Sequence, residues 1–523
     1  MNGFDWFIII VYGCAMIGLS IWIGRRQAGH EDYFVGGRNL PWWAVGLSTM
    51  ATQTSAISFI SIPAFVALKP GGGLTWLQYE LAVPLAMILV MVFLIPFFRK
   101  LKLISVYGYL ESRFNPSVRH VVSMIFLISR GLGTGVGVYA SAIVMSVCLG
   151  IPLWATILII GTVTIIYDTI GGITAVVYSD VIQMVILLSG VILCIAYADG
   201  IAGGLGDFWT TFPAARRDAI DPSLGLGGGS AVPFWAFLIG GIFLYSSYYG
   251  TDQSQVQREL SATTTGDTKK SLVLNALARF PLTILYTLLG VTVYAVYVQS
   301  PELRQSIPPD KPDYLVPQFI LAYLPPGLRG VLFVSLLSAT MSSLDSALNS
   351  LSAATMQDFI EKRLKNPARI LLYSKLTTIG WGLVITGFAF AVGRISDTVI
   401  EGINKIGSAF YGPILATFLV GVISKKANAG GVLIGIIAGV LFNLILWLGF
   451  PAVYWMWWNV FGFLVTAAVS LAASPFLKSI IKKDISPYVL RGTPFFKEER
   501  NWLPVYALLV LYFLLLLAIL MML

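Results

Sequence analysis

The chain has 523 residues, of which 57% are hydrophobic and only 11% are charged, and its mean hydropathy is +0.81. Charged residues this scarce cannot cover the surface of a water-soluble protein of this length. The composition therefore excludes a soluble protein and indicates a membrane protein with many apolar helices. The net charge of +9 comes from 34 Lys and Arg against 25 Asp and Glu. The basic residues lie in loops between apolar segments, which favours the lipid bilayer over nucleic acid as the partner.

Apolar stretches of about 17 to 25 residues, bounded by charged residues or by Pro and Gly, predict transmembrane helices. We expect about fourteen spans, near residues 4–24, 41–67, 74–98, 120–149, 151–170, 171–198, 232–251, 271–298, 329–355, 371–392, 399–423, 429–449, 455–476 and 502–523. The first span follows no basic segment and precedes no clear cleavage site, so we interpret it as a retained helix and not as a secretory signal.

Basic residues concentrate in the loops that follow odd-numbered spans, for example at Arg25, Arg26, Lys269 and Lys270. Because cytoplasmic loops are enriched in Lys and Arg, this asymmetry predicts a multi-pass protein with both termini outside. We expect it in the plasma (inner) membrane, with no obligate protein partner and no nucleic acid.

The residues that most enzymes need are not recognisable in the sequence. Cys14, Cys148 and Cys194 are isolated, so they form neither a disulfide framework nor a zinc-binding pattern. The sequence has no HExxH motif, no Walker loop and no Ser/His/Asp set. The glycine run 131–137 lacks a βαβ context, which favours close helix packing over nucleotide binding. We therefore expect neither an enzyme nor an ATP-driven pump.

The spans from 41 to 198 and from 232 to 423 form two sets of five, and an odd number makes the second set inverted relative to the first. Inverted five-helix repeats occur in transporters, with the binding site at their interface. Each set begins with a span that looks broken, because polar residues crowd positions 48–61 and 244–253. Polar groups at membrane depth must face protein or a watery cavity.

The chain thus divides into five predicted regions. They are an N-terminal accessory helix and cytoplasmic linker (1–35), a first repeat (36–198), an external loop (199–231), a second repeat (232–426) and three accessory helices (427–523). The glycine-rich external loop is either a lid or a plain connector.

The ninth span carries a polar stripe at helical spacing, made of Ser335, Ser338, Ser342, Asp345, Ser346, Asn349 and Ser352. Oxygen ligands suit a hard cation such as sodium, so a stripe that faces the broken span near residues 51–54 suits a cation site. Small residues that only permit close helix packing explain the same pattern. Asp345 favours the cation, because a buried carboxylate needs a partner.

Three further charged residues fall within or beside spans. Arg130 lies about ten residues into the fourth span, where a guanidinium costs several kcal/mol unless it is paired. It therefore binds a ligand or pairs with another helix, with Glu80 or Asp345 as candidates. Asp180 is either a cation ligand or an acid favoured by a helix dipole. Arg279, like Arg130, either binds a ligand or pairs with another helix.

Four passages resemble the sodium/solute symporter family, which includes sodium/glucose, iodide, monocarboxylate and sialic acid carriers. They are residues 32–43, 51–59, 167–183 and 338–352. The resemblance implies an all-α membrane protein with the LeuT-like fold of two inverted five-helix repeats plus accessory helices. It also implies sodium-coupled import of a small organic solute by alternating access, with Na+ as the coupling ion. The alternatives are a sodium/sugar symporter of this family and, from another class, a passive channel or facilitator.

The resemblance further implies a main sodium site made of Ala51, Thr54, Ala339, Ser342 and Ser343. The two serine hydroxyls would face the backbone of residues 51–54. Asp180 corresponds to the aspartate of an additional sodium site in some members.

For the solute, the resemblance implies an inner gate at Tyr248 and contacts that sugar carriers make at Ser58, Glu80, Tyr245, Arg279 and Asn404. Ser58 and Tyr245 replace a glutamine and an asparagine of the sugar carriers, which argues against a sugar. Arg130 is similar to the arginine that holds the carboxylate in a sialic acid carrier, and Gln53, Ser55 and Ser58 form a polar tract suited to the same site. We therefore expect a carboxylate-bearing solute of the sialic acid or monocarboxylate type.

Overall fold

The computed structural model describes residues 1–27, 29–204, 207–222, 225–227, 232–364, 366–392, 399–477, 484–490 and 499–523, with side chains for all but Asp207 and residues 399–404. Within these ranges the regular structure is helical, apart from one isolated bridge between Leu40 and Ala262. The prediction of an all-helical protein is confirmed.

Sixteen helices of nine or more residues occur in the described part of the chain. They are α1 (Gly3–Gly24), α2 (Trp42–Gln53), α3 (Ala56–Ala67), α4 (Val83–Phe93), α5 (Pro116–Leu149), α6 (Leu153–Ala202), α7 (Gly241–Thr251), α8 (Gln253–Ser261), α9 (Thr265–Gln299), α10 (Leu315–Tyr323), α11 (Leu328–Thr355), α12 (Pro367–Val392), α13 (Val399–Ile423), α14 (Ala429–Gly449), α15 (Trp457–Ala473) and α16 (Leu503–Met522). Shorter helices connect them, among them His30–Val35, Ile95–Lys100, Gly108–Arg113 and Pro301–Gln305, and a 3-10 segment covers Leu74–Glu80.

The first break separates α2 from α3, which meet at an angle of 58°. Between them Thr54 and Ser55 have extended backbone, with φ and ψ of −92° and 98°, and of −100° and 168°. The Thr54 hydroxyl donates to the carbonyl of Met50 at 2.9 Å, so a side chain satisfies one carbonyl at the end of α2. The break predicted within residues 48–61 is confirmed.

The second break lies at Asp252, where the backbone is extended between α7 and α8. Asp252 caps α8 by accepting a hydrogen bond from the amide of Ser254 at 2.8 Å. The sequence predicted a break within residues 244–253 and a span that ends near residue 251, and both agree with the end of α7 at Thr251. It did not predict α8, whose nine residues are all buried. Hydropathy misses α8 because most of its residues are polar and find their partners inside the protein.

Eleven helices in the described residues are long and apolar enough to cross a membrane, or twelve if the bent pair α2 and α3 is one span. The predicted number of fourteen is not confirmed. One reason is that the predicted spans 151–170 and 171–198 form the single fifty-residue element α6, which bends at Gly172 (φ 54°). Fifty helical residues reach about 75 Å, more than twice the hydrocarbon thickness of about 30 Å.

The core of the molecule is organised around α11, almost all of whose side chains are buried. The carboxylate of Asp5 in α1 accepts hydrogen bonds from the amides of Gly327 and Gly330 at 2.6 and 3.1 Å. These amides are at the start of α11, where no preceding turn can satisfy them. The accessory helix α1 is thereby fixed to the central helix.

Two glycines of α5, Gly131 and Gly135, serve helix packing, as the sequence predicted for the run 131–137. A Cβ atom on Gly135 would lie 2.5 Å from the ring of Phe388, and one on Gly131 would lie 3.2 Å from the ring of Trp381. Both aromatic residues belong to α12, so the small residues allow α5 and α12 to approach closely.

Candidate functional site

A cavity of about 290 Å³ lies between α2, α3, α5, α7, α9, α11 and α13, and both helix breaks reach its wall. This volume is at the lower end of the range of about 300–1,000 Å³ typical of small-molecule sites. The wall includes these residues singled out from the sequence: Gln53, Ser55, Ser58, Glu80, Arg130, Tyr248, Arg279 and Ser343. Most of the predicted solute contacts therefore share one cavity.

Two predicted solute contacts differ from this pattern. Tyr245 is fully buried, and its hydroxyl donates to the carbonyl of Tyr79 at 3.0 Å, so it supports the wall from behind. The side chain of Asn404 lies outside the described residues.

Arg130 projects into the cavity from α5. Its Nη1 atom lies 3.6 Å from Oδ2 of Asp252, and its guanidinium carbon lies 5.8 Å from the centroid of the Tyr248 ring. Its Nε atom is buried and has no hydrogen-bond partner. The partner suggested from the sequence, Glu80 or Asp345, is wrong, because Asp252 at the second break occupies that place. Asp252 lies within the polar segment 244–253 singled out from the sequence, but its pairing with Arg130 was missed, because the two residues are distant in sequence.

Arg279 and Glu80 form an ion pair in the cavity wall through two hydrogen bonds, one from Nη2 and one from Nε at 3.3 Å. Arg279 also donates from Nη1 to the hydroxyl of Thr54 at 3.1 Å. This pair joins α9 to the first break, and the two charges neutralise each other. The Gln53 side chain accepts a hydrogen bond from the Tyr249 hydroxyl, so it too is held by the protein.

The residues predicted to bind sodium lie where α2 meets α11. The hydroxyl of Ser343 is 3.5 Å from the carbonyl oxygen of Thr52 and 3.3 Å from that of Ala339. The carbonyl oxygen of Ala51 accepts from the amide of Thr54 at 3.0 Å across the end of α2. Hydroxyl and carbonyl oxygens of both helices thus come together, which is the donor chemistry that a hard cation needs.

Ser342 differs from its neighbour. Its hydroxyl donates to Oδ1 of Asp180 at 2.6 Å and does not face residues 51–54, so the orientation predicted for it is wrong. Successive residues of a helix point about 100° apart, so the Ser342 hydroxyl is turned to Asp180 while that of Ser343 is turned to the carbonyl of Thr52.

Asp180 is fully buried and accepts a second hydrogen bond, from Ser48, at 2.5 Å. It lies about two turns beyond the bend at Gly172, outside the first helical turn in which a helix dipole acts. Asp180 therefore lies in the core beside α11.

Arg258 is the residue of this region that sequence analysis missed. It is 1% exposed and donates to Asp180 at 3.1 Å, to the hydroxyl of Ser48 at 2.7 Å and to the carbonyl of Ser254 at 2.5 Å. It also donates to the hydroxyl of Ser346. The available signal was Asp180 itself, since a buried carboxylate calls for a cation.

Asp345 accepts hydrogen bonds from the hydroxyl of Tyr167 and, at 3.3 Å, from that of Ser346. The polar stripe of α11 is therefore engaged with α6 and α8 along its length, and the region is both closely packed and rich in oxygen atoms.

A central cavity bounded by two interrupted helices, with a hydroxyl-rich helix beside one break, is the construction of secondary transporters that couple a solute to an ion. The fold and the site define this class of protein.

The sequence model described as "Sodium:solute symporter family" matches residues 33–439. The chain belongs to this family. It is a sodium-coupled symporter and not an enzyme, and Na+ is its coupling ion.

Three similar proteins illustrate the range of the family. The chain is 30% identical to the human sodium/iodide cotransporter over 83% of this chain and 68% of that protein. It is 28% identical to the sodium-coupled monocarboxylate transporter 1 of Xenopus laevis over 95% of this chain and 76% of that protein. A solved structure of a Na+-coupled sialic acid symporter, substrate-bound and outward-open, matches with a TM-score of 0.82 and 27% identity over 91% of this chain and 99% of the other.

Proposed function

We propose that this symporter imports a small carboxylate-bearing solute of the sialic acid or monocarboxylate type, and that Arg130 binds its carboxylate. The observation that carries the proposal is the guanidinium of Arg130 in the cavity wall, whose Nε is unpartnered and whose acidic neighbour Asp252 lies at 3.6 Å. Its other polar neighbours are the hydroxyl groups of Tyr248 and Tyr411. A guanidinium binds a carboxylate through two parallel hydrogen bonds, which supply both affinity and orientation. The sialic acid and monocarboxylate carriers named above support a carboxylate, and iodide shares its negative charge.

A neutral sugar is the weaker candidate. Of the contacts that the sugar carriers imply, Glu80 and Arg279 pair with each other, and Tyr245 is turned to the backbone of Tyr79. These side chains have fewer free hydrogen-bonding groups for a polyhydroxylated solute than Arg130 has for an anion.

We further infer that one sodium ion binds between Ala51 and Thr54 of the first break and Ala339, Ser342 and Ser343 of α11. In this arrangement Ser342 contributes its backbone carbonyl, because its hydroxyl faces Asp180. Asp180 and Ser342 are the candidate ligands of a second sodium ion. That ion would be a second positive charge at the Asp180 carboxylate, beside the guanidinium of Arg258.

We also propose that residues 36–198 and 232–426 are the two inverted five-helix repeats, with 1–35 and 427–523 as accessory regions. Counting the halves of α6 separately, and α7 with α8 as one span, gives the fourteen expected spans.

The basic loops favour external termini in a plasma membrane. Single cysteines at the exposed positions Lys270 and Glu302 test this orientation. In intact cells a membrane-impermeant maleimide should label position 302 and not position 270, and the reverse labelling would contradict it.

Uptake into proteoliposomes with and without a sodium gradient tests the substrate class. The solutes are N-acetylneuraminate, lactate, iodide and galactose. Sodium-dependent uptake of either carboxylate is expected. Uptake of iodide alone would keep the anion but contradict the carboxylate, and uptake of galactose alone would contradict both.

Arg130→Lys should weaken binding of the transported carboxylate about tenfold or more, because an ammonium lacks the planar fork of donors. The affinity for sodium measured without solute should stay nearly unchanged, since Arg130 contacts none of the proposed sodium ligands. Arg369→Lys, at an exposed position of α12, is the matched control. Normal carboxylate uptake by Arg130→Lys would show that Arg130 has a purely structural role.

A further inference from the structure

The second helix break places a carboxylate of the protein where the solute carboxylate would bind. We propose that Asp252 is an internal competitor for Arg130, which the anionic solute displaces, and that this displacement links the solute site to the sodium region through α8. The inference rests on the proposed function of Arg130. It assigns to Asp252 the role of a residue that sets the affinity for the solute.

The two oxygens of Asp252 have separate tasks. Oδ1 accepts hydrogen bonds from the amide and the hydroxyl of Ser254 at 2.8 and 2.6 Å, which caps α8. Oδ2 is directed to Nη1 of Arg130. The cap therefore ties the carboxylate to the end of α8 whether or not Arg130 is engaged, so loss of the Arg130 contact can shift Asp252 together with this end of α8 without unfolding it.

The Arg130 contact is weak for a buried pair. Charge-assisted hydrogen bonds have donor–acceptor distances of about 2.7–2.9 Å, and Arg119 reaches Asp358 with its Nε at 2.7 Å. The distance of 3.6 Å between Arg130 and Asp252 exceeds this range. Asp252 is 3% exposed and Arg130 is 16% exposed, so the carboxylate neutralises the arginine while the guanidinium stays accessible from the cavity.

A single short helix joins this pair to the sodium region. Asp252 caps α8 through Ser254, and the carbonyl of Ser254 accepts a hydrogen bond from Arg258. Arg258 in turn binds Asp180 and Ser346. A change in the position of Asp252 thus reaches the sodium region over one helical turn and a half, about 9 Å of helix. Binding of each ligand then changes the affinity for the other, because such coupling is reciprocal.

The test is Asp252→Asn, because asparagine caps a helix as well as aspartate does and removes only the charge. The affinity of purified protein in saturating sodium should rise at least threefold for whichever of N-acetylneuraminate and lactate the wild type binds. The reason is that Arg130 loses its competing anion. The factor by which sodium raises solute affinity should shrink in the same variant. Asp252→Ser, whose hydroxyl also caps a helix, is the second variant should the first fold poorly.

Asp267→Asn is the matched control, because Asp267 also takes part in a helix N-terminal cap, with Thr264, but lies away from the cavity. It should bind solute as the wild type does. If Arg130→Lys weakens binding while Asp252→Asn leaves it unchanged or weaker, Asp252 is only a cap and the present proposal fails alone. If Arg130→Lys binds the carboxylate normally, the proposed function fails and this inference fails with it.

Discussion

Arg130, which is 16% exposed, and Arg258, which is 1% exposed, are both enclosed by protein near the two ends of α8, yet their hydrogen bonding differs. Arg258 is saturated by hydrogen bonds, with Asp180 at 3.1 Å and Ser48 at 2.7 Å. Arg130 has one acidic neighbour, Asp252, at 3.6 Å and an unpartnered Nε. The first arrangement stabilises a fold, and the second leaves a cation available for a ligand. Burial alone does not distinguish a structural arginine from a binding one; the count of satisfied donors does.

The largest effect is expected from Arg258→Gln. Removing one member of a buried ion pair leaves an uncompensated charge and costs about 3–5 kcal/mol. The variant should lose most of its thermal stability in detergent and most of its sodium-driven uptake. Asp180→Asn in the same chain should recover part of the stability, because the remaining carboxylate charge is then gone.

Arg130→Lys provides the comparison for that measurement, since it should lower solute affinity with little loss of thermal stability. Equal losses of thermal stability in Arg258→Gln and Arg130→Lys would contradict the assignment of Arg258 as structural and Arg130 as ligand-binding.

A smaller effect is expected from Ser343→Ala, which removes one oxygen ligand from the proposed main sodium site and preserves α11. Sodium half-saturation of uptake should rise severalfold at normal expression.

Ser342→Ala is the informative partner, because the Ser342 hydroxyl binds Asp180 and not the first break. It should leave the main site intact and change only the behaviour of the second candidate ion, seen as a lower Hill coefficient. Unchanged sodium dependence in the double variant would contradict both assignments.

Sequence reasoning located the first break well, because hydroxyl residues in an apolar span have no other physical explanation. It placed Arg130 and Glu80 in the solute region, and both line the cavity. It failed at α8, since a window that averages hydropathy cannot recognise a polar helix enclosed by protein. Arg258 was missed for this reason, and with it the partner of Asp180.

The predicted number of fourteen spans is not confirmed, because a count by length and apolarity finds eleven or twelve in the described residues. Length and apolarity identify single straight helices, whereas α6 bends at Gly172 and the second broken helix divides at Asp252. The orientation of Ser342 depends on a rotation of about 100° between neighbouring residues. Its hydroxyl donates a hydrogen bond to Asp180, which is distant in sequence, and no local sequence pattern predicts that contact.

The enclosure of α11 separates the helix proposed to bind sodium from the lipid. Protein surrounds it along almost its whole length, and α1 holds its first turn through Asp5. The thickness and composition of the bilayer therefore act on the sodium ligands only through neighbouring helices. The peripheral α16, by contrast, presents Leu508, Leu511 and Leu515 outward. We therefore expect the sodium affinity of this carrier to change little with the surrounding lipids, because the lipid-facing helices contact them and α11 does not.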